Sequence, residues 1–336
     1  MAERTALFYC LGGGRGHVTR GIAIARKLLG LGLRSIILSS NKAFKPSCAP
    51  GIEIACVPES VRSASRAPGP LADWVGAVVE SERPSVFVVD TFPRGIRDEL
   101  GLVGSLGNLR TVLVLRHVRP EILLTTELRR AVEASYDGIV FCEESPVLRF
   151  FSTLADVVPH VFTAPVLVRD AAELPSRRQA CRLVGADPGA LTVFTVPGGS
   201  AGESRMLRAE YEALRSGLAQ RSGCVIVPCG SGGFGHWPLM DLLPAAALVV
   251  GPPGYNLFYE CRALKKPAIW LPLRKGADDQ FQRARSCVMA SNREELINLV
   301  QHSLDALDPL SDYSVPTYPD GAEASAGFIL RTAERV

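Results

Sequence analysis

Residues 251–284 hold the side chains and backbone groups whose spacing points most directly to ligand chemistry. The turn Gly251-Pro252-Pro253-Gly254 precedes a segment, 255–264, that can continue as a helix. Small residues in front of a helix leave its first N–H groups open, and the helix dipole adds partial positive charge there. The turn therefore suits an anion such as a diphosphate. Glu260 falls about a turn and a half after Gly254, where its carboxylate can accept two hydrogen bonds from a diol.

A second polar pair, Asp279 and Gln280, follows the next apolar segment. Residues 245–250 and 268–273 read as short buried strands on either side of the helix. Asp278-Asp279-Gln280 then begins another helix at the carboxyl end of a strand, which is where open α/β sheets bind ligands. An acceptor-rich pair at that place suits sugar hydroxyls.

The order of these features resembles the donor-binding half of the GT-B glycosyltransferases. The similarity is closest to the peptidoglycan N-acetylglucosaminyltransferases and to uncharacterised bacterial predicted glycosyltransferases with a similar Gly-Tyr-Asn turn. The resemblance implies that Glu260 holds the nucleotide ribose and that Gly254, Tyr255 and Asn256 contact a phosphate. It also implies that Asp279 and Gln280 hold the donor sugar. The alternative is an ordinary βαβ unit with a polar rim.

Two further glycine loops each follow a strand-like run. Gly12-Gly13-Gly14-Arg15-Gly16-His17 follows residues 6–11 and precedes a helical pattern, so Gly14 can present its backbone to a donor. The pattern resembles the first loop of the same family, where the histidine lies at the acceptor site. The loop at 197–203 is similar to the Gly-Gly-Ser loop of the peptidoglycan enzymes. That resemblance implies that Gly198, Gly199 and the Ser200 hydroxyl close over the donor phosphates.

His17 and Asp90 are the candidate catalytic residues. His17 lies at the carboxyl end of the first strand, and the intrinsic pKa of a histidine is close to the working pH of a base. Asp90 ends the apolar run 85–89 and emerges at the same edge, where it can fix the His17 tautomer, act as the base, or merely cap the next turn. In plant and antibiotic glycosyltransferases, which this loop resembles, the histidine is the base and the aspartate orients it. A phosphate-contacting or N-capping role for His17 stays open. His117 is the reserve base, and Arg116 is an expected acceptor contact.

A dinucleotide fingerprint at 230–235 is a competing signal. Gly230-Ser231-Gly232-Gly233-Phe234-Gly235 matches G-x-G-x-x-G, but Pro238 and Pro244 are unfavourable for the long helix that such a site requires. We expect instead a loop that flanks a nucleotide base, with packing from Phe234, Trp237, Leu239 and Met240.

Composition favours two α/β domains. The chain has 336 residues, 47% of them hydrophobic, and about ten strand-like runs alternate with helical segments. We predict two Rossmann-like parallel-sheet domains that face a cleft: an acceptor domain at 1–164 and a nucleotide-sugar domain at 165–320. By the resemblance, a helix at 321–336 crosses back to the first domain.

Charge, cysteine content and hydropathy limit which classes of partner, metal site and cellular location the protein can have. A net charge of +3 with scattered basic residues argues against nucleic acid, and no apolar run is long enough to span a membrane. No signal peptide is recognised. An apolar patch at 42–45 or 148–151 could contact a membrane, although a surface loop and a packed helix are favoured. Nine cysteines without a C-x-x-C pair argue against zinc and disulfides, and predict a cytoplasmic location.

The resulting hypothesis is an inverting glycosyltransferase that needs neither a metal nor another cofactor. Its donor is a nucleotide diphosphate sugar, UDP- or dTDP-linked, and its acceptor is a hydroxyl of a small or lipid-linked molecule. No metal site is expected because no D-x-D motif lies at a strand end. Two alternatives stay open: a nucleotide-sugar hydrolase or 2-epimerase of the same fold, and a noncatalytic sugar-nucleotide-binding subunit.

Overall fold

The chain folds into two compact α/β units. The computed structural model describes residues 4–12, 14–41, 49–63, 67–199, 201–230, 235–307 and 313–335. One unit comprises Met1–Val168 with Pro319–Val336, and the other comprises Arg169–Tyr318. Each unit contains one parallel sheet, which confirms the predicted fold class.

The first unit is built on seven parallel strands. They are β1 (Thr5–Tyr9), β2 (Arg34–Ser39), β3 (Glu53–Cys56), β4 (Val86–Asp90), β5 (Thr111–Leu115), β6 (Gly138–Phe141) and β7 (His160–Phe162). Their order across the sheet is β3-β2-β1-β4-β5-β6-β7. Because the order reverses beside β1, the loops after β1 and β4 open next to each other at the carboxyl edge of the sheet.

The second unit has four parallel strands, in the order β11-β10-β8-β9. They are β8 (Leu191–Thr195), β9 (Cys224–Pro228), β10 (Leu248–Gly251) and β11 (Ala268–Trp270). An isolated parallel bridge from Trp270 to Met289 continues the sheet beyond β11. The turn after β10 and the loop after β11 therefore lie at the same edge of this sheet.

Except for the last three, the helices of the described residues lie between successive strands along the chain. They are α1 (Arg15–Gly30), α2 (Glu59–Ser63), α3 (Gly69–Glu82), α4 (Pro120–Leu123), α5 (Thr126–Ser135), α6 (Pro146–Leu154), α7 (Arg177–Val184), α8 (Ala201–Met206), α9 (Arg208–Gly217), α10 (Tyr255–Ala263), α11 (Gln280–Ala284), α12 (Arg293–Asp305) and α13 (Gly321–Ala333). Short 3-10 turns occupy Glu99–Leu102, Gly104–Asn108, Ala171–Glu173, Leu239–Asp241 and Leu243–Ala245.

Helix α13 is part of the first unit. It packs against α1 and contacts β4 and β6 on one face of the sheet. Two glycines permit this packing, because a Cβ at Gly321 would collide with the Ala164 carbonyl and one at Gly138 would lie 2.7 Å from the Phe328 ring.

The opposite face of this sheet carries an apolar core. Leu148 and Phe151 of α6 lie in that core, whereas Phe150 is 54% exposed. Helix α6 thus turns two of its apolar side chains inward, as a packed helix does. The other candidate membrane patch, 42–45, lies outside the described residues. Within the part of the chain that is described, no helix is both long and apolar enough to cross a bilayer.

Candidate functional site

His17 and Asp90 meet at the carboxyl edge of the first sheet. Asp90 is the last residue of β4, and His17 lies in the first turn of α1 after the glycine loop. The Nδ1 atom of His17 lies 2.5 Å from Oδ2 of Asp90, and both side chains are buried. No hydrogen bond from the described residues reaches Nε2 of His17. The ring is therefore held at one nitrogen and can accept a proton at the other.

Glycine at position 12 makes room for this imidazole. A Cβ at Gly12 would lie 2.6 Å from Nε2 of His17 and would also collide with its Cδ2 atom. The loop places the ring directly over its own backbone, which no residue with a side chain would permit. Gly14 is the N-cap of α1 and has extended backbone angles, and no side chain caps this helix.

Arg20 holds the other side of the Asp90 carboxylate. Its Nε and Nη2 atoms donate to Oδ1 and Oδ2 of Asp90 at 2.9 and 2.6 Å. Nη2 also donates to Oγ1 of Thr91 at 3.1 Å. Arg20 is one helical turn after His17 and is only 2% exposed. The acid of the pair is thus fixed at both oxygens.

Thr91 is held in an unusual backbone conformation directly after Asp90. Its φ is 72°, and the Phe92 N–H donates across it to the Asp90 carbonyl at 2.9 Å, which forms a γ-turn. A β-branched residue at positive φ is rare and costs about 1–3 kcal/mol. Strain of this kind is concentrated at functional sites. Its presence here supports the assignment of this edge as a site.

Buried Glu99 anchors the rest of the loop after Asp90. Its carboxylate accepts hydrogen bonds from the Tyr9 hydroxyl and, at 2.7 Å, from the Arg97 N–H. The Tyr9 oxygen in turn accepts the Ile96 N–H at 3.0 Å. Gly95 has a φ of 86° and lies against this carboxylate, so glycine is required there. Residues 91–98 are consequently a fixed loop.

Burial and the neighbouring charges together determine the protonation of the pair. Burial lowers the pKa of His17 below its ordinary 6.5; Asp90 opposes this shift, and Arg20 and Arg116 add to it. Burial alone would raise the pKa of Asp90, but the neighbouring Arg20 and His17 outweigh it and hold that pKa well below its ordinary value. The pair therefore rests as a neutral imidazole beside an ionised carboxylate at neutral pH.

Arg116 and His117 lie at the same edge, immediately after β5. Both are buried, and Nη1 of Arg116 donates to the His117 carbonyl at 3.0 Å. The His117 N–H donates to Glu143 at 2.8 Å. Arg116 is near enough to His17 to lower its pKa. Its role as an acceptor contact stays a prediction.

In the second unit, the predicted phosphate turn leads into α10. Gly254 is the N-cap, no side chain caps the helix, and its first turn contains no acidic residue. The Oδ1 atom of Asn256 is buried and makes no hydrogen bond with the described part of the chain. Such an amide beside an open helix N-terminus suits a polar ligand.

Glu260 lies one turn after Asn256 on the same face of α10. It is 5% exposed, and among the described residues no hydrogen bond to its carboxylate is formed. Burial, with a smaller contribution from Asp241, raises the pKa of Glu260 to about 7. Asp241 itself pairs with Arg169 at 2.7 Å and with His236 at 3.3 Å. A buried carboxylate without a partner is costly, and a ribose diol would supply the missing donors.

Asp279 and Gln280 differ in how far their side chains are accessible to a ligand. Asp279 caps α11 through Oδ1, which accepts the Gln282 N–H at 3.1 Å, and it is half-buried. Gln280 is 1% exposed; its Oε1 accepts the Leu273 N–H at 2.9 Å, and its Nε2 donates to Asp278 at 3.2 Å. In this conformation the amide of Gln280 serves the loop, so a sugar contact by Gln280 would require these bonds to change.

Arg283 is a supporting residue to which the sequence assigned no role. Its Nη1 atom donates to the Pro253 carbonyl at 3.0 Å and pairs with Asp278 at 2.9 Å. The side chain is buried and ties the Gly251–Gly254 turn to the loop before α11.

The glycine loop after β8 already holds an anionic side chain. The Gly199 N–H donates to Glu203 at 2.9 Å, and Glu203 pairs with Lys275 at 2.8 Å. Gly198 has a φ of 88°, and its Cα faces the same carboxylate. A phosphate at this loop would therefore have to replace Glu203. Ser200, predicted to join it, lies outside the described residues.

The residues predicted to flank a nucleotide base differ in their burial. Trp237 and Leu239 are half-buried, whereas Met240 is fully buried in the second unit. Phe234 lies outside the described residues. Among the described residues of this group, Trp237 and Leu239 are therefore the two with exposed surface that could pack against a nucleotide base.

A cavity of about 870 Å³ lies elsewhere in the first unit. Phe87 and Val89 line it from β4. Side chains alternate between the two faces of a strand, so this cavity is on the face opposite Asp90 and α1. We do not assign it to the His17 site. Among the described residues, no three His, Cys, Asp or Glu side chains are grouped so as to hold a metal ion.

No protein-family model and no curated protein matches the chain. Among solved structures, Os79 from O. sativa in complex with UDP is similar over 97% of this chain and 100% of its own, with a TM-score of 0.65 and 14% identity. The glycosyltransferase VinC in complex with DTDP matches over 99% and 100%, with a TM-score of 0.56 and 13% identity. A putative UDP-N-acetylglucosamine 2-epimerase from Listeria monocytogenes matches over 100% and 99%, with a TM-score of 0.65 and 12% identity. The chain has the GT-B fold of nucleotide-sugar glycosyltransferases, as its sequence indicates.

Proposed function

We propose that the protein is a metal-independent, inverting glycosyltransferase of the cytoplasm. Its donor is a UDP- or dTDP-linked sugar and its acceptor is a hydroxyl group. The contact between His17 Nδ1 and Asp90 carries the proposal, because it leaves Nε2 to act as a general base.

In the proposed reaction, Nε2 of His17 removes the proton of the acceptor hydroxyl. The acceptor oxygen attacks the anomeric carbon as the bond from that carbon to the diphosphate oxygen breaks. The configuration at the anomeric carbon is inverted, and the nucleoside diphosphate leaves. Ionised Asp90 stabilises the imidazolium that forms, and His17 then returns its proton to solvent.

The N-terminus of α10 is the proposed donor site. Its uncapped N–H groups and dipole would stabilise the diphosphate of the donor and of the leaving group. The ribose diol would donate to Glu260, and Asn256 would contact the phosphate. The predicted sugar contacts are Asp279 and Gln280, the latter after rearrangement of its loop. In this proposal the helix N-terminus supplies the positive potential that the diphosphate needs, so no divalent cation is required.

The proposal is tested by incubating the protein with UDP-glucose, UDP-N-acetylglucosamine and dTDP-glucose and a mixture of hydroxylated acceptors. Products are read by mass spectrometry, and the anomeric configuration by NMR. His17→Ala is expected to abolish transfer while the affinity for UDP stays within about twofold of wild type, since Asn256 and Glu260, the proposed contacts to the phosphate and the ribose, lie in the other unit. Undiminished transfer by His17→Ala would exclude His17 as the base. Dependence of the wild-type rate on Mg²⁺ would refute the metal-independent mechanism.

A 2-epimerase or hydrolase is the second candidate. The similarity to the putative 2-epimerase is as high in TM-score as that to Os79. Such an enzyme would convert the donor with no acceptor present. NMR of UDP-N-acetylglucosamine incubated with the protein alone separates the cases: a stable donor favours the transferase, whereas an epimer or free sugar favours the alternative.

A further inference from the structure

The guanidinium of Arg20 is a buried group of the first unit whose position the proposed reaction does not yet use. We propose that Arg20 is a positioning residue, which fixes the Asp90 carboxylate so that His17 is held as the Nδ1-protonated tautomer with Nε2 as its basic atom. This inference rests on the proposed function, in which His17 is the base.

The geometry of the contact carries the argument. A fork of two donors, at 2.9 and 2.6 Å, fixes both the position and the plane of the carboxylate. Oδ2 is then directed at Nδ1 of His17 at 2.5 Å. Without the fork, the carboxylate would be held at Oδ2 alone, by His17 and the Thr91 hydroxyl. It could then rotate about its Cβ–Cγ bond, and the imidazole would lose its fixed acceptor.

Thr91 completes the arrangement. Its Oγ1 lies 3.1 Å from Nη2 of Arg20 and 3.2 Å from Oδ2 of Asp90. The hydroxyl can accept from the guanidinium and donate to the carboxylate. The strained φ of Thr91 places the hydroxyl in this bridging position. Strain maintained at a polar contact of this kind supports a role in function.

The charges that face His17 come from three elements. Arg20 on α1 and Arg116 after β5 are positive, and Asp90 at the end of β4 is negative. Cys10, after β1, is a neutral neighbour of Asp90 and Arg20, since burial raises its thiol pKa. His117 follows Arg116, and its N–H binds Glu143. Nη2 of Arg20 lies only 3.5 Å from Nδ1, so Arg20 also opposes a second proton on the ring.

Arg20 thus has two effects on His17 that a purely structural ion pair would not have. It selects which ring nitrogen carries the proton, and it keeps the imidazole neutral at lower pH. A substitution that removes the charge should alter both. One that keeps the charge and loses the fork should alter the tautomer alone.

The test uses protein labelled with 15N at its histidine rings, followed by NMR from pH 5 to 9 without any substrate. His17→Gln identifies the His17 signals. Arg20→Met removes the charge and the fork, and Arg20→Lys keeps the charge but can donate to Asp90 from only one atom. Arg26→Met is the matched control, because Arg26 lies on the same helix and bonds to the Val168 carbonyl at 2.7 Å.

We expect wild type and Arg26→Met to show the Nδ1-protonated tautomer alone. Arg20→Met should show both tautomers and a titration midpoint at least one pH unit higher. If Arg20→Met does not fold, the His17 tautomers observed in Arg20→Lys decide the question. We expect both tautomers in that variant. A single Nδ1-protonated tautomer in folded Arg20→Lys or Arg20→Met would overturn the inference.

A kinetic measurement separates this inference from the proposed function. Once an acceptor is known, Arg20→Lys should lower kcat about 10- to 100-fold with an unchanged donor Kd. An unchanged kcat would overturn the positioning role. If no transfer is found with any acceptor, the proposed function fails, yet the NMR outcome still decides whether Arg20 sets the His17 tautomer.

Discussion

At the scale of single residues, the molecule buries charged groups that are costly to remove from water. Asp90 is compensated by Arg20 and His17, whereas Glu260 has no hydrogen-bonding partner among the described residues. A compensated charge maintains a geometry, and an uncompensated one is ready for a ligand. Asp90 is therefore positioned by its protein partners, whereas the Glu260 carboxylate keeps its acceptors for a ligand.

Glu260 should make donor binding depend on pH. A diol donates to the ionised carboxylate, so protonation of Glu260 below its pKa of about 7 removes acceptors. The Kd for UDP-glucose, whose diphosphate does not titrate in this range, should rise up to about tenfold per pH unit between pH 7 and 5.5. Isothermal titration calorimetry measures it. Glu260→Gln should bind more weakly at pH 8 and show a flat profile; a flat wild-type profile would contradict the ribose role.

Glu260 should also make stability depend on pH. Its folded pKa, about 7, lies above the ordinary 4.5, so the stability it contributes is complete below pH 4.5 and is lost as pH rises through 7. At pH 8 the ionised, buried carboxylate costs on the order of 3 kcal/mol. Urea unfolding without ligand should show Glu260→Gln to be more stable than wild type at pH 8 and equal to it at pH 4.5. An equal difference at both values would show that the effect is not electrostatic.

Sequence reasoning selected His17, Asp90 and Glu260 as candidates because each stands at a strand end or about a turn and a half after a glycine turn. Arg20 was missed, since an arginine one turn along an amphipathic helix reads as solvent-exposed. The available signal was its i, i+3 spacing from His17, which places both on one helix face. The burial of Gln280 was also beyond the sequence, because its partners are a backbone N–H and Asp278 in a loop whose path no local pattern fixes.

At the scale of elements, strand ends and glycine turns determine where the polar groups meet. The strand-like runs predicted at 6–11, 85–89, 245–250 and 268–273 correspond within a few residues to β1, β4, β10 and β11. β7 was missed because its three residues, His160–Phe162, are too short for an alternating pattern. Apolar strands are visible in the sequence because parallel sheets are buried on both faces.

The first glycine loop should tolerate no side chain at position 12. A Cβ there would collide with the His17 ring, so Gly12→Ala should displace the imidazole from Asp90 and lower kcat about 100-fold. UDP affinity should be unchanged, because Asn256 and Glu260, the proposed contacts to the phosphate and the ribose, lie in the second unit. Gly30→Ala, at the open end of the same helix, is the matched control and should retain full activity. Normal activity in Gly12→Ala would argue against the observed position of His17.

The turn before α10 allows the complementary test, in which a substitution should weaken UDP binding and leave the fold intact. A Cβ at Gly254 would meet no protein atom within 4 Å, and its φ is an ordinary −63°. Gly254→Ala should therefore leave the free energy of unfolding within about 0.5 kcal/mol of wild type. If the diphosphate lies against this turn, the added methyl group should weaken UDP binding at least tenfold by calorimetry. Unchanged affinity would place the phosphate elsewhere.

At the scale of the whole molecule, the chain returns to its first unit at the end. Helix α13 packs on α1, and Lys27 pairs with Asp320 at 2.5 Å. The apolar side of α13, with Phe328 and Ile329 buried, completes one face of the first sheet. The first unit is therefore not a contiguous segment of sequence.

This discontinuity predicts the behaviour of a fragment. Residues 1–168 expressed alone should expose the face that α13 covers, and should aggregate or bind a hydrophobic dye. Co-expression with residues 319–336 should restore a monodisperse fragment on size-exclusion chromatography. A stable, monomeric 1–168 fragment would show that α13 is dispensable for this unit.

The central claim is that the second unit binds a nucleotide diphosphate sugar through the N-terminus of α10 and Glu260. It is tested most directly by calorimetric titration of wild type and Glu260→Ala with UDP, dTDP and NAD, each with and without Mg²⁺. The account predicts micromolar binding of UDP or dTDP without metal, weak or no binding of NAD, and loss of the nucleotide affinity in Glu260→Ala. Preference for NAD, or undiminished UDP binding by Glu260→Ala, would contradict it.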